Sequence, residues 1–434
     1  MKKTAIAAVA ASIAAATAFA DARDEFDAAI AADAERAAGI FHHYEFGEIR
    51  DTPPPEGYAP FYISHYGRHG SRYQARPDSL RAYGMMEAAE KAGVLTADGL
   101  ALLGSLKKIV DAHDGMYEIL AARGADEHKR LARRMQGRFP EVFAAPGGKV
   151  RCQSSTYPRC LLSMANFSCG LKGAVPGLDF EFLSGKKYMN VVLHSCLNPW
   201  TLNVELADEL REKYVKSLPM PRALLSRILT DSPAAGETIG DPRRFAVAIF
   251  EAASAYQSLA VELDGLDIYR FFTHDELVAF ARYENFRHYL SMGNSEEFGE
   301  YVTWAGRTLA ADVMERADAA LAGKGPSADL RFGHDSGLWP LVSLLGVEGA
   351  GARVPAAESP AACPLWREMP MAANIQIVFY RKEGAEPLVK VLYNERESQL
   401  AGLKPFSGPY FRWSDFRALL AEKSSGATPP QKTS

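Results

Sequence analysis

Short apolar segments typical of β-strands lie near both ends of the chain, and segments with helical periodicity lie between them. Five segments are predicted as strands: residues 61–66, 149–152, 328–332, 374–380 and 388–393. Apolar residues recur at helical spacing through 79–139 and through most of 171–323. This order predicts an α/β fold, a three-layer sandwich with a mostly parallel central sheet and an inserted α-helical cap.

Boundary signals within the helical regions are glycines and capping residues. Breaks are predicted at Gly93 and Gly104, and a helix over 154–171 is predicted to have Ser155 or Thr156 as its N-cap. The clearest later helices are predicted over 242–263, 273–290, 296–321 and 338–345.

The same pattern predicts how the chain divides. Residues 21–170 and 325–422 are expected to form the sheet-containing core, and 171–324 the mostly helical cap. Residues 423–434, rich in Ser, Pro and Lys, are expected to be a disordered tail.

The N-terminus has the layout of a secretory signal peptide. Lys2 and Lys3 precede an alanine-rich apolar run, and Ala18-Phe19-Ala20 places small residues where a signal peptidase cleaves. Residues 1–20 are therefore predicted to be removed, leaving a periplasmic or secreted bacterial protein. This run is too short to span a membrane, and no later segment is long and apolar enough to do so.

Composition narrows the classes of function. A formal net charge of -4 argues against a general nucleic-acid binder, which normally carries a basic excess. The five cysteines show no CxxC spacing, which argues against zinc and thioredoxin-like sites, and their odd count leaves at least one unpaired. No metal, no cofactor and no obligate protein partner are expected.

The strand over 61–66 leads directly into Arg68-His69-Gly70-Ser71-Arg72. Phosphoryl transfer needs fixed positive charge on the non-bridging oxygens, and planar guanidiniums supply it in donor pairs. It also needs a nucleophile that is neutral at working pH, and neighbouring arginines disfavour the imidazolium form of a histidine. Gly70 allows the backbone to approach a phosphate closely.

A second polar element, Gly333-His334-Asp335, follows the strand over 328–332. Ligands of α/β sheets bind beyond the carboxyl ends of the strands. The two strand-end loops are therefore expected to meet at one crevice.

An RHGSR motif after the first strand and a late His-Asp after another strand resemble the histidine acid phosphatase family, branch 2 of the histidine phosphatase superfamily. The resemblance extends from about Tyr58 to Tyr393, although the helical middle matches loosely. It implies that His69 attacks phosphorus and becomes phosphohistidine. It further implies that four residues bind the phosphate: Arg68, Arg72, Arg159 and His334. Asp335 would protonate the leaving alcohol and then activate water.

The residues of these motifs are similar to those of the multiple inositol-polyphosphate phosphatases within this family. The similarity lies in residues 68–73, in Met371-Ala372-Ala373-Asn374-Ile375-Gln376 and in Asn394-Glu395-Arg396. Gln74 replaces a proline that is usual in other members. Many members of the inositol-polyphosphate group have His-Ala-Glu where this chain has His334-Asp335-Ser336.

Three basic residues are candidates for contacts with more distant phosphates. Arg76 stands where family phytases often place such a residue, and Lys186 and Lys187 are a possible extension of the basic pocket. An adjacent lysine pair is, however, more often a solvated loop.

Other motifs are interpreted as structural. His274-Asp275 competes with Asp335 as the acid, but Thr273 and Glu276 have capping-box spacing. Cys152 and Arg159 do not have the spacing of a tyrosine-phosphatase loop, so Cys152 is expected to be a small buried residue. The histidine pairs His65/His69 and His42/His43 are interpreted as structural rather than metal-binding.

The sequence therefore predicts a phosphomonoester hydrolase with a phosphohistidine intermediate, acting stepwise on inositol hexakisphosphate. A broad acid phosphatase or sugar-phosphate phosphatase is the alternative within the same class. A non-catalytic polyanion-binding protein is the alternative of another class. A proton donor from the cap, in place of Asp335, also stays open.

Overall fold

The computed structural model describes residues 24–75, 78–144, 148–192 and 204–425. Several predictions fall outside the described residues: the signal peptide, Arg76 and Cys196. Of the turn predicted at 146–148, only residue 148 is described. The strands are β1 (Ala59–Arg68), β2 (Lys149–Ser154), β3 (Asp179–Ser184), β4 (Ala328–Gly333), β5 (Asn374–Arg381), β6 (Leu388–Tyr393), β7 (Arg396–Glu397) and β8 (Tyr410–Arg412).

These strands form one sheet in the order β3-β2-β4-β1-β5-β6-β7, with β8 also paired to β6. The pairs β3-β2, β2-β4 and β4-β1 are parallel. The pairs β1-β5, β5-β6, β6-β7 and β6-β8 are antiparallel. The α/β prediction is confirmed, and the sheet is mixed, with three parallel and four antiparallel pairs among the described strands.

The helices are α1 (Asp78–Lys91), α2 (Ala97–His113), α3 (Ala122–Arg138), α4 (Pro140–Phe143), α5 (Pro158–Ala174), α6 (Met189–Val192), α7 (Val204–Ser217), α8 (Arg222–Ile228), α9 (Pro233–Ile239), α10 (Pro242–Tyr256), α11 (His274–Met292), α12 (Gly299–Ala305), α13 (Arg307–Leu321), α14 (Asp335–Leu345), α15 (Ser359–Ala362), α16 (Leu365–Glu368) and α17 (Trp413–Ser424). Residues 24–32 are also helical. Short 3₁₀ helices cover Ala34–Phe41, Lys186–Tyr188, Gln257–Leu259, Tyr269–Phe271 and Ala356–Glu358. No helix among the described residues is long and apolar enough to cross a membrane.

Helices cover both faces of the sheet because strand side chains alternate between the faces. Ile63 of β1 packs in one apolar cluster with Leu131 of α3 and Phe167 of α5. Its neighbour Tyr62 belongs to the opposite cluster, which includes Phe416 of α17. The three-layer arrangement is thereby confirmed.

The helical layer beyond the sheet is built from two parts of the chain. Met86 of α1 and Ile249 of α10 are fully buried in the same apolar cluster. An isolated bridge between Leu95 and Leu229 also joins the two parts. The helices that follow β1 therefore pack with the inserted helices, which sequence reasoning did not foresee.

Two sheet-associated elements lie within the range assigned to the cap, 171–324. β3 pairs with β2 along its full length. Arg316 of α13 reaches Asp329 of β4 at 2.8 Å. The core thus continues past residue 171 and resumes before 324, and the exact division stays a proposal.

Several predicted boundaries need correction. Gly104 lies inside α2, whereas Gly93, with φ +69°, does mark a break. The helix predicted over 296–321 is divided at Gly306, where a Cβ would lie 2.5 Å from the Pro340 carbonyl oxygen. The N-cap of α5 is Tyr157 rather than Ser155 or Thr156. At the C-terminus, α17 continues through Ser424 into the predicted disordered tail.

Candidate active site

The parallel register of β1 and β4 brings the two predicted strand-end motifs together. Arg68 lies opposite Gly333, and the His69 amide donates a hydrogen bond to the Gly333 carbonyl at 2.9 Å. The imidazoles of His69 and His334 meet edge to face with their centroids 5.5 Å apart. The crevice predicted beyond the strand ends is therefore present.

His69 is held as a neutral imidazole with one nitrogen available. Its Nδ1 lies 2.9 Å from the Gly70 carbonyl oxygen, which can only accept, so Nδ1 carries the proton and Nε2 keeps its lone pair. Burial, followed by the charges of Arg159, Arg72 and Arg68, lowers the pKa of His69 well below its ordinary value. A neutral ring with a free Nε2 is what a nucleophile needs.

The loop that carries His69 is fixed by buried polar contacts. The Gly70 amide donates to Ser163 Oγ at 3.1 Å, and a Cβ on Gly70 would lie 2.7 Å from the Gly124 carbonyl oxygen. Glu127 accepts hydrogen bonds from both the amide and the hydroxyl of Ser71, each at 2.8 Å. Only glycine fits at position 70 without displacing α3.

Sequence reasoning missed Glu127 and Ser163, although one signal was available. Glu127 occupies a position on the buried face of α3, between Gly124 and Leu131. A carboxylate there must have partners, because burial of an unpaired charge is costly.

A second support comes from the 371–376 motif. The Ala372 amide donates to the His69 carbonyl at 3.0 Å, and the Arg68 amide donates to the Ala373 carbonyl at 2.8 Å. Asn394 Oδ1 accepts from the Asn374 amide at 2.9 Å. The motifs at 371–376 and 394–396 thus help to position the loop.

Arg68 is fully buried and oriented by fixed acceptors. Its Nη1 donates to the carbonyls of Ile40 at 2.7 Å and Met369 at 2.9 Å. Its Nη2 forms an ion pair with Asp335 Oδ2 at 2.9 Å. Burial lowers the pKa of Arg68, and Asp335 opposes that effect.

Arg72 and Arg159 add two more guanidiniums to the same cluster. Burial, together with Arg159 and Arg68, lowers the pKa of Arg72 to about 9. Arg159 stacks over the Tyr157 ring with its Cζ 4.7 Å from the centroid. Within the described ranges, Nε of all three arginines and Nη1 of Arg159 have no hydrogen-bond partner. Buried donors without acceptors are unfavourable, so the cluster is suited to an anion.

His334 is oriented by a residue that was predicted to be a helix cap. Because Arg159 Nη2, at 3.3 Å from Nδ1, can only donate, Nδ1 of His334 accepts and Nε2 carries the proton. Nε2 then donates to Ser155 Oγ at 3.0 Å. Burial and Arg159 lower the pKa of His334 to about 3. Cys160 Sγ also lies 3.4 Å from Nε2.

Asp335 is the first residue of α14, and both of its carboxylate oxygens have partners. Oδ2 pairs with Arg68, and Oδ1 accepts from the Ser336 amide at 2.7 Å. Burial alone would raise the pKa of Asp335, but Arg68 and His334 hold it below its ordinary value.

The structure thus brings together six of the predicted site residues: Arg68, His69, Arg72, Arg159, His334 and Asp335. Lys186 and Lys187 are exposed in a 3₁₀ helix after β3. Met189 Sδ, just beyond them, lies 3.5 Å from the Thr156 amide, which places this segment beside the start of α5. Their contact with a ligand stays a prediction.

The motifs interpreted as structural have ordinary roles. Thr273 and Glu276 form a capping box at α11, and His274 and Asp275 are exposed there. Cys152 is buried, and burial raises the pKa of its thiol to about 12. The described cysteines, at 152, 160, 169 and 363, are free thiols.

The histidine pairs also have protein partners. His65 is buried against Phe167 and Phe332. His42 Nε2 lies 2.9 Å from Glu45 Oε1, and Glu45 is also paired with Arg36 at 2.8 Å. Ligand atoms of Asp33, His42 and Glu45 do lie within 4.8 Å of one another, but the nearby guanidinium competes with a cation for Glu45.

Comparison with known families and structures agrees with this geometry. The model of the histidine phosphatase superfamily (branch 2) matches residues 242–394, a range that contains His334 and Asp335. The fold is similar to a Bifidobacterium longum multiple inositol polyphosphate phosphatase solved with inositol hexasulfate, with a TM-score of 0.76 and 20% identity over 89% of this chain and 97% of that one. A comparison with curated proteins gives no match.

Two phytase structures extend the likeness. The phytase from D. castellii has a TM-score of 0.67 and 16% identity, covering 91% of this chain and 86% of that one. The Hafnia alvei phytase has a TM-score of 0.51 and 12% identity, covering 86% and 98%. At these identities the likeness establishes the fold.

Proposed function

On the premise that the chain is a histidine phosphatase of branch 2, as its family match and fold indicate, we propose that it hydrolyses phosphate monoesters through a phosphohistidine on His69. The observation that carries this proposal is the buried, neutral His69, whose free Nε2 stands among three guanidiniums. A structural histidine would not need unpaired arginine donors around it.

The reaction follows from these positions. Nε2 of His69 attacks phosphorus as the bond to the leaving oxygen breaks, and the alcohol takes a proton from the Asp335 carboxyl. Water then attacks the phosphohistidine, Asp335 accepts a proton from it, and orthophosphate and neutral His69 are released. Arg68, Arg72 and Arg159 neutralise the non-bridging oxygens in both steps.

We propose that Asp335 becomes protonated when bound phosphate competes with it for Arg68. A bound phosphate oxygen draws on the same Arg68 charge that holds the carboxyl ionised in the free protein. Its pKa is therefore expected to rise on substrate binding, which favours activity at acidic pH.

For the substrate, we propose stepwise dephosphorylation of inositol hexakisphosphate. The structural relative from Bifidobacterium longum was solved with inositol hexasulfate, and other relatives are phytases. Arg76, Lys186 and Lys187 are proposed to contact phosphates that are not being cleaved. A broad acid phosphatase or sugar-phosphate phosphatase is the alternative. We also propose that residues 1–20 act as a signal peptide that directs export of the protein.

A non-catalytic polyanion binder on this fold would need the arginines but neither a nucleophile nor a proton donor. The presence of His69 and Asp335 together favours the enzyme.

The test is phosphate release from inositol hexakisphosphate and from glucose 1-phosphate at acidic and neutral pH. Wild type is compared with His69→Ala and with His274→Ala, an exposed histidine at the cap of α11. We expect stepwise release from the inositol substrate that is lost only in His69→Ala. Turnover of glucose 1-phosphate but not of inositol hexakisphosphate would support the mechanism and contradict the proposed substrate. Full activity of His69→Ala would exclude the mechanism.

A further inference from the structure

A glutamate that the reaction above does not use faces the arginine cluster. Glu118 Oε1 lies 3.4 Å from Arg159 Nη1, and the same carboxylate opposes the lowering of the Arg72 pKa. It stands in the connection between α2 and α3, outside every motif found in the sequence.

Glu118 is held in an unfavourable backbone conformation. Its φ is +68°, in the left-handed region that is unfavourable for a residue with a side chain. Such outliers persist only where the surroundings enforce them, and they concentrate at functional sites.

Backbone pairing with the arginine loop enforces this conformation. The Glu118 amide donates to the Gln74 carbonyl at 3.0 Å, and the Tyr73 amide donates to the Ile119 carbonyl at 2.9 Å. Arg72 and Leu120 form an antiparallel bridge in the same ladder. The carboxylate is thus fixed relative to the loop that carries Arg72.

The contact with Arg159 is an ion pair without a hydrogen bond. Arg159 Nη1 has no hydrogen-bond partner among the described residues, although Glu118 is near it. The Arg159 side chain is 10% exposed and that of Glu118 is 37% exposed. The carboxylate therefore lies at the solvent side of the cluster and leaves the arginine donors open to a better-placed anion.

We propose that Glu118 is a resident counter-charge that competes with phosphate for Arg159 and Arg72 and so weakens retention of orthophosphate. In the free protein it offsets part of the repulsion among three guanidiniums. With phosphate bound, it repels the anion and favours release of the product. This proposal rests on the proposed function only for the location of the phosphate.

The test measures orthophosphate binding by isothermal titration calorimetry, which requires no turnover. Wild type is compared with Glu118→Gln and with Glu141→Gln, an exposed glutamate on α4. We expect orthophosphate to bind about two- to fivefold more tightly to Glu118→Gln, with no change in Glu141→Gln. Equal or weaker binding by Glu118→Gln, at an unchanged unfolding temperature, would overturn the proposal.

Two further outcomes separate this proposal from others. Absence of orthophosphate binding to all three proteins would exclude both the counter-charge and the phosphate site itself. A loss of kcat in Glu118→Gln on an alkyl phosphate, but not on p-nitrophenyl phosphate, would identify Glu118 as the proton donor and overturn its role as a counter-charge.

Discussion

Arg68 Nη2 and Asp335 Oδ2 form an ion pair at 2.9 Å, in which Arg68 is buried and Asp335 is half-buried, so a proposed phosphate ligand and the proposed proton donor share one charge. The pair comes from two strand ends, β1 and β4, that lie side by side in the sheet. In the proposed mechanism, substrate binding and proton donation are therefore coupled at a single guanidinium.

This coupling leads to a prediction for Asp335→Asn. An amide cannot donate a proton to an alkoxide, so kcat on inositol hexakisphosphate should fall about 10²–10⁴-fold. The loss on p-nitrophenyl phosphate should be much smaller, because that leaving group needs no proton. Initial rates on both substrates, with Asp275→Asn as the control, check this. Equal losses on the two substrates would count against Asp335 as the donor.

Ser155→Ala should weaken phosphate binding. Without the Ser155 hydroxyl, His334 loses the acceptor that fixes its proton on Nε2 and its Nδ1 toward Arg159. One such hydrogen bond contributes about 1 kcal/mol, so KM should rise roughly fivefold while kcat changes less. Ser155→Thr, which keeps the hydroxyl, should restore KM, and Ser105→Ala on α2 should have no effect. An unchanged KM in Ser155→Ala would refute a positioning role.

Glu127→Ala should lower stability as well as activity. The substitution leaves the amide and hydroxyl of Ser71 and the amide of Tyr44 without their buried acceptor. We expect the free energy of unfolding to fall by about 2–4 kcal/mol, measured by urea denaturation. A loss below about 0.5 kcal/mol would show that solvent or another group replaces the carboxylate.

Stability should decrease as the pH falls below the ordinary histidine range. Burial and the nearby His128 lower the pKa of His65 to about 3 from 6.5. Between these values the unfolded chain binds the proton and the folded protein does not, so the free energy of unfolding declines as pH falls through this window. Thermal unfolding from pH 3.5 to 7 should show a shallower slope for His65→Phe than for wild type. An identical slope would mean that His65 does not contribute.

Local sequence patterns predicted five of the eight described strands and the meeting of the two strand-end motifs, but not β3, β7 or β8. Arg68 is the last residue of β1 and His69 follows it, whereas His334 and Asp335 follow β4. The parallel pairing of β1 and β4 brings these strand ends together. The family resemblance supplied Arg159, whose position depends on how α5 begins.

The supporting residues could not be predicted in the same way. Ser155 is one of the two residues predicted as N-cap of the helix over 154–171, and only the tertiary fold shows that its hydroxyl lies 3.0 Å from His334 Nε2. Glu118 is brought to the cluster by a loop pairing between distant segments, which leaves no periodic signal in the sequence. The packing of α1 against α10 was missed for the same reason, since an apolar helix face does not specify its partner.

The most direct test of the phosphohistidine mechanism is to trap the intermediate. Protein mixed with ³²P-labelled substrate is quenched in alkali, where phosphohistidine is stable and phosphoserine is labile, and protein-bound label is then counted. We predict label on the wild type that disappears on brief exposure to acid, greater accumulation in Asp335→Asn during turnover of p-nitrophenyl phosphate, and none in His69→Ala. Label that persists in His69→Ala, or turnover by wild type without any trapped label in either active protein, would contradict the mechanism.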